Sequence, residues 1–245
     1  LAAVITRCLG GDADALEDLV GAVRDRIYRL ALRMTGCPED AQDATQEILI
    51  KVLTRLDTFR GEASPMTWVH RIAVNHLLDR RKSTVERLGL TFESFADDLL
   101  SGLAAPPERS SPDLDLLADE VRRGCTLAVL TCLDRPSRLA YVLGDILQVP
   151  ASTGAEICAI SEATYRKRLS RARARVRAFL SQNCGLVSPQ AACHCRRRVP
   201  AAIASERLDP DAARAAAIDP DAATAELEAL HDAGQLMRAH PAYEA

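Results

Sequence analysis

Between Ile160 and Leu180 the chain reads ISEATYRKRLSRARARVRAFL, with Arg166, Lys167, Arg168, Arg171, Arg173, Arg175 and Arg177 against a single acid, Glu162. Cations at that density repel one another along a helix unless something negative faces them. Their chemistry is neutralisation of phosphates and hydrogen bonding to base edges. The formal net charge of the whole chain is -3, so this positive charge is local. A second cluster is rich in thiols. Cys184, Cys193 and Cys195 follow a C-x8-C-x-C spacing with His194 inside it. Three thiols and an imidazole suit zinc or copper(I). If both its neighbours ligate one ion, His194 points away, and His231 or His240 is the alternative fourth ligand. Unpaired thiols and a redox pair are the other readings of the same residues. Catalytic constellations are missing: His70 and His76 lie six apart, off one helix face, and neither a Ser-His-Asp set nor a nucleotide loop occurs. The expectation is a protein that is not an enzyme and requires no cofactor.

The basic residues need a helix to present them. Tyr165, Leu169, Ala172, Val176 and Phe179 recur at steps of four and three, giving a packed stripe with an arginine-rich remainder. A short helix over TGAEICA precedes it, and the pair reads as a helix-turn-helix whose second helix enters the major groove. Glu162, Thr164, Tyr165, Arg166 and Arg168 are the base-facing candidates, Arg171, Arg173 and Arg175 the phosphate contacts, and Lys167 belongs to the same DNA-binding set.

Upstream, Leu16, Leu19, Val20, Val23, Ile27, Leu30, Ala31 and Met34 predict one amphipathic helix that Gly36 ends. Pro38 opens a second helix with an acidic start and an inner face of Ala41, Ala44, Ile48, Val52 and Leu56. Ser64-Pro65 caps a third, lined by Met66, Val69, Ile72, Ala73 and Leu77. Residues 84–114, with adjacent prolines, serines and several acids, read as a mostly extended acidic linker. The expected fold is all-α: two small helical domains joined by a flexible linker, plus a helical C-terminal extension. The expected boundaries are 1–83, 84–114, 115–181 and 182–245. No apolar run approaches the roughly 20 residues of a membrane span, and the first residues lack the pattern of a signal peptide. Eight unevenly spaced cysteines do not form a secreted disulfide framework. Cytoplasm, without membrane attachment, is the expected location.

Two strings carry a family likeness. DAQDATQEILIKVLTRLDTFRGEASPMTWVHRIAVNHLLDRRK resembles domain 2 of the extracytoplasmic-function (ECF) sigma factors of bacterial RNA polymerase, of the sigma-70 type. GAEICAISEATYRKRLSRARARVR resembles the end of their domain 4. The resemblance spans roughly 10–83 and 115–181 and implies a factor that binds core polymerase, recognises a promoter at two places and opens the upstream edge of the bubble. It implies that Asp40, Asp43, Gln46, Glu47 and Leu53 meet the β and β′ subunits of the core, the acids otherwise serving the helix dipole. It implies that Phe59, Arg60, Trp68, Arg71, Asn75, Arg80 and Arg81 handle the −10 element, with Trp68 equally suited to the core. The linker then either threads the polymerase cleft or acts as a plain tether. An anti-sigma protein is a further candidate partner.

This chain departs from the family pattern at two points. Gly154 stands where relatives have a large apolar residue, and Ala159 where they have a turn glycine. The extension beyond 181 repeats Asp-Pro-Asp-Ala-Ala at Asp209 and Asp219, each a helix start. Leu227, Leu230, Leu236 and Met237 form an apolar face in it, and the extension is either regulatory or a mere appendage. The rival reading is a helix-turn-helix regulator that acts without core polymerase. It leaves the FRGEASPMTWVHRIAVNHLLDRRK block without a task.

Overall fold

The computed structural model describes residues 1–104, 111–216 and 233–238. They form helices only, apart from an isolated bridge pairing Cys184 with Cys193. The chain divides into two compact units.

The first unit comprises residues 1–89 and 133–172 of the described chain. It holds α1 (Ala2–Leu9), α2 (Ala13–Thr35), α3 (Pro38–Thr54), a 3-10 turn (Leu56–Thr58), α4 (Pro65–Asp79) and α5 (Thr84–Arg87). It also holds α8 (Arg135–Tyr141), a π-turn (Val142–Ile146), α9 (Ala151–Ile157) and the start of α10 (Glu162–Asn183). Local signals set the boundaries. Asp12 accepts from the Ala15 amide at 3.2 Å to start α2. Gly36, at φ 72°, ends it with its amide on the Leu32 carbonyl. Ser64 caps α4 through the Thr67 amide at 3.1 Å. Leu19, Val23, Ile27, Leu30, Ile48, Val52, Val69 and Ala73 close the core of α2, α3 and α4. Leu16, read as part of that face, stays 37% exposed.

The second unit comprises the described residues among 90–132 and 173–241. It holds α6 (Phe92–Ser101), α7 (Pro112–Thr131), the remainder of α10, α11 (Cys195–Ala204), α12 (Pro210–Ala216) and α13 (Ala233–Arg238). The expected extended linker is corrected here: α5 and α6 both lie in it. Thr91 and Ser94 form a capping box at the start of α6. Phe92, Phe95 and Leu99, at steps of three and four, are buried. Phe95 stacks on Phe179 of α10 with centroids 5.4 Å apart, and Phe92 meets the same ring at a tilt, 5.3 Å away. The boundaries expected at 83, 114 and 181 therefore differ from those of the compact units, because α6 is bound by its aromatic face to the end of α10.

The C-terminal extension has its own packing. Leu117 and Ala118 of α7 cluster with Val199, Ala202 and Leu208. Asp209 accepts from the Asp211 amide at 2.9 Å and the Ala212 amide at 3.2 Å, starting α12 as its Asp-Pro signature predicts. Leu236 and Met237 are buried. Leu227, Leu230 and the second repeat at Asp219 lie outside the described residues. Among the described residues no helix is long and apolar enough to cross a membrane.

Candidate nucleic-acid interface

On α10 the buried stripe is the predicted one: Tyr165, Leu169, Ala172, Val176 and Phe179. Glu162, Thr164, Arg166, Lys167, Arg171, Arg173, Arg175 and Arg177 are exposed and Arg168 is half-buried. Ser161 caps the helix at the Thr164 amide, 3.2 Å away, and its hydroxyl meets that of Thr164 at 2.8 Å. Glu162 pairs with Arg166 one turn on, at 2.5 Å. Arg175 lies 4.9 Å over the Phe92 ring.

Tyr165 is corrected as a base-facing candidate. Its side chain is fully buried and its hydroxyl donates to the Ala140 carbonyl at 3.2 Å. It fills the room left by Gly154 and Gly144, where an added Cβ would lie 2.4 Å and 3.0 Å from its ring and hydroxyl atoms. The volume that a large apolar residue at 154 would fill is thus taken by a larger side chain on the next helix. Ala159 occupies the turn at φ 52°, a left-handed conformation that suits glycine better.

In the first unit a cavity of about 640 Å³ opens on the loop after the 3-10 turn. Phe59, Arg60, Trp68, Arg71 and Asn75 line it, and Glu156 of α9 completes its rim. Phe59 and Trp68 meet edge to face at 5.6 Å, and Trp68 is half-buried, so it both packs and borders the cavity. Asn75, Arg60 and Arg71 are exposed, and Arg71 comes within 3.9 Å of Glu156. Two aromatic faces, an amide and two guanidinium groups around one hollow can stack an unpaired base, read its edge and hold its phosphates.

Arg80 and Arg81 part company. Arg81 is exposed, whereas Arg80 is turned onto α3, where it donates to the Asp40 carbonyl and approaches the Asp40 and Asp43 carboxylates at 3.5 and 3.9 Å. Asp40 also accepts from the Thr84 amide at 3.1 Å, so it ties α3 to the end of α4 and the start of α5. Asp43, Gln46 and Glu47 are exposed one turn apart on α3, beside Ile50, a large apolar residue 60% exposed, and half-buried Leu53. Glu47 reaches toward His76, 3.4 Å away. Burial and the nearby Lys51 and Arg80 lower the His76 pKa despite that acid.

Sequence reasoning missed a buried charge cluster in the same unit. Glu86 of α5 accepts from Arg135 at 2.6 Å and from Arg138 at 2.9 Å. Arg135 also donates to the Leu78 and Arg80 carbonyls at 3.1 and 2.5 Å, and Arg138 to the Met34 carbonyl. Burial disfavours the Glu86 carboxylate, but the Arg135 hydrogen bonds and both guanidinium charges outweigh it and bring its pKa to about 2. Nothing in the chain pattern marks residues 49 and 52 positions apart as partners.

Among the described residues the thiols are not gathered into a metal-ligand set. Cys184 and Cys193 are paired across the isolated bridge, with the Gly185 amide on the Cys193 carbonyl at 2.8 Å. His194 is exposed, its ring lying against Gly185. Burial pushes the Cys193 and Cys195 thiols up to about 11 and about 12. His231 and His240 lie outside the described residues.

Residues 19–86 match the family model of sigma-70 region 2. The ECF sigma factor SigW of Bacillus subtilis is 33% identical over 165 residues, covering 58% of this chain and 82% of that protein. The ECF sigma-E factor of Escherichia coli is 29% identical over 176 residues, covering 69% and 88%. A solved structure titled "Structure of CnrH in complex with the cytosolic domain of CnrY" superposes with a TM-score of 0.52 at 20% identity, over 73% of this chain and 95% of that one, and so shares the fold. The helix-turn-helix, the aromatic cavity and these relatives lead to one conclusion: the chain belongs to the extracytoplasmic-function sigma factors, which are not enzymes but direct RNA polymerase to promoter DNA and initiate transcription.

Proposed function

We propose a division of labour among these surfaces. The cavity bordered by Phe59, Trp68 and Asn75 captures a flipped base of the −10 element, with Arg60, Arg71 and Arg81 holding the freed strand. The observation that supports this most is the convergence of two aromatic rings and an exposed amide on a hollow of about 640 Å³. The exposed face of α10 reads the −35 element through Glu162, Arg166 and Lys167, with Arg171 and Arg173 on phosphates. Asp43, Gln46, Glu47 and Leu53, with Ile50, dock on the β and β′ subunits of the core in the bacterial cytoplasm. Asp40 and Arg80 hold that surface together rather than contact a partner.

In the first unit α9 sits against α4, and Glu156 stands at the rim of the base cavity beside Arg71. Simultaneous contact with two promoter elements therefore requires α8 and α9 to leave α4, at the cost of the Glu86–Arg138 contact. We assign that opening to core polymerase. An anti-sigma protein would act by holding the closed arrangement.

The extension acts as a regulatory clasp on α6 and α7. Its arginines meet the acids of the segment before α7 and at its start: Arg198 and Arg207 on Asp98, Arg214 on Asp113, Arg196 on Asp115. These pairs give the linker acids a third role beside cleft threading and plain tethering.

The test is permanganate footprinting of promoter complexes with core polymerase. Asn75→Ala should abolish opening at the −10 element while leaving polymerase binding intact. Arg171→Ala should weaken binding evenly and lower the salt slope by about one unit. Normal opening by the Asn75 variant would overturn the cavity assignment.

A further inference from the structure

His76 stands at a core position of α4 and carries a polar ring there. Val69, Ile72 and Ala73, seven, four and three residues before it, are buried, and His76 continues their face with 6% of its side chain exposed. Packing alone asks for an apolar residue at such a place, whereas a buried imidazole needs partners for its nitrogens. Both nitrogens face α3. Nδ1 lies 2.7 Å from the Lys51 ammonium nitrogen. Nε2 lies 3.4 Å from a Glu47 carboxylate oxygen and has no hydrogen-bond partner among the described residues. An ammonium group only donates, so Nδ1 accepts and the ring is the neutral Nε2–H tautomer, its remaining proton on the Glu47 side. Glu47 and Lys51 are four apart on one helix, glutamate first, the arrangement in which the two charges ordinarily pair. Here the imidazole stands between them. Lys51 is half-buried, whereas Glu47 keeps 55% of its side chain exposed. Asp79 and Arg80, the other charges near the ring, lie at the end of α4 itself, and Arg80 is committed to Asp40 and Asp43.

We infer that His76 is a positioning residue for the core-docking face: its neutral imidazole separates Lys51 from Glu47 and keeps the Glu47 carboxylate available to a guanidinium or ammonium group of the polymerase core. The inference rests on the assignment of Glu47 to the core contact. An acid already paired with its own lysine must give up that pair to meet another cation, and only the surplus strengthens binding. A carboxylate held apart from Lys51 loses no internal partner on docking. Burial first, then the Lys51 charge, lowers the His76 pKa, so the ring stays neutral at neutral pH. Protonation would undo the arrangement, because an imidazolium cannot accept from Lys51 and two like charges would then share one buried site.

The test is fluorescence titration of the labelled full chain with bacterial core polymerase. Glu47→Gln should weaken binding by about tenfold and His76→Ala by nearly as much, and the two together no more than either alone. Adding Lys51→Met to His76→Ala should restore most of the lost affinity, since it removes the competing cation. A residue that served packing alone gives no such rescue. His76→Gln, whose amide can accept from Lys51 and donate to Glu47, should bind within about threefold of the parent. Full additivity of Glu47→Gln and His76→Ala, or no rescue by Lys51→Met, overturns the separating role and leaves the docking face in place. An unchanged affinity in Glu47→Gln overturns the docking assignment itself, and this inference with it. If His76→Ala does not fold, nitrogen NMR of the imidazole in the parent decides the matter. A neutral ring protonated at Nε2 is expected at neutral pH, and an Nδ1–H tautomer or an imidazolium rejects the proposal.

Discussion

The ring of Tyr165 occupies the space that a side chain at position 154 would need, with Tyr165 Cζ 2.4 Å from where the Cβ would stand. Gly154 and Tyr165 thus act as a complementary pair across the helix-turn-helix. A methyl group at 154 must push a fully buried ring that also touches Gly144. Gly154→Ala should destabilise the protein by about 1–3 kcal/mol through overpacking. In the Tyr165→Leu background the same change should cost less. Urea denaturation of the four proteins of this cycle gives the coupling energy, and strict additivity would show that the two residues are independent.

Ala159 turns the chain at φ 52° between α9 and α10, and its amide donates to the Glu156 carbonyl at 3.1 Å. The left-handed conformation costs a residue with a Cβ about 1 kcal/mol. Ala159→Gly should therefore raise stability by up to that amount, less the entropy glycine adds to the unfolded chain. A lower denaturation midpoint would show that the turn relaxes in solution.

The Glu86 cluster makes a prediction about pH. The folded carboxyl titrates near 2, below its ordinary 4.5, so its stabilisation is complete above about pH 4.5 and drains away as pH falls toward 2. The shift corresponds to about 3 kcal/mol. Glu86→Gln should lose that pH dependence. It should also be less stable than the parent at neutral pH, because Arg138, only 3% exposed, loses the Glu86 carboxylate it pairs with there. Equal acid sensitivity of parent and variant would remove Glu86 from this role.

Much of the first unit was legible beforehand. The Ser64-Pro65 cap, the Gly36 stop and the core spacing of α2 to α4 are local features, and local features can be read from a string. The α6 helix was equally local, with Phe92, Phe95 and Leu99 in register, but the prolines and acids nearby drew the reading toward a linker. Tyr165 was readable as a packed residue by its period and as a DNA contact by its place in the motif, and burial decided for packing. The contacts of Glu86 with Arg138 and of Asp98 with Arg198 and Arg207 were out of reach. They join residues 52 to 109 positions apart, and such pairs exist only through the tertiary fold.

Those last pairs bear on the clasp. Arg207 is half exposed, so its bond to Asp98 contributes little. Arg198 is only 6% exposed and has Asp98 as its carboxylate partner, with the Asp98 and Leu99 carbonyls beside it. Asp98→Asn should loosen α11 by about 1–2 kcal/mol and speed tryptic cleavage after Arg207. Cleavage at the parent rate would show that Val199, Ala202 and Leu208 hold the extension unaided.

The central claim is that this chain gives polymerase its promoter specificity and has none to exercise alone. Run-off transcription with bacterial core polymerase, on genomic fragments selected by the complex, tests it most directly when paired with binding of the same fragments by the free protein. The account predicts specific initiation with core present and no sequence-specific binding without it. It also predicts a changed yield once the chain is truncated after Leu180. Tight, salt-sensitive binding of a defined site by the free protein, with no initiation on adding core, would contradict it.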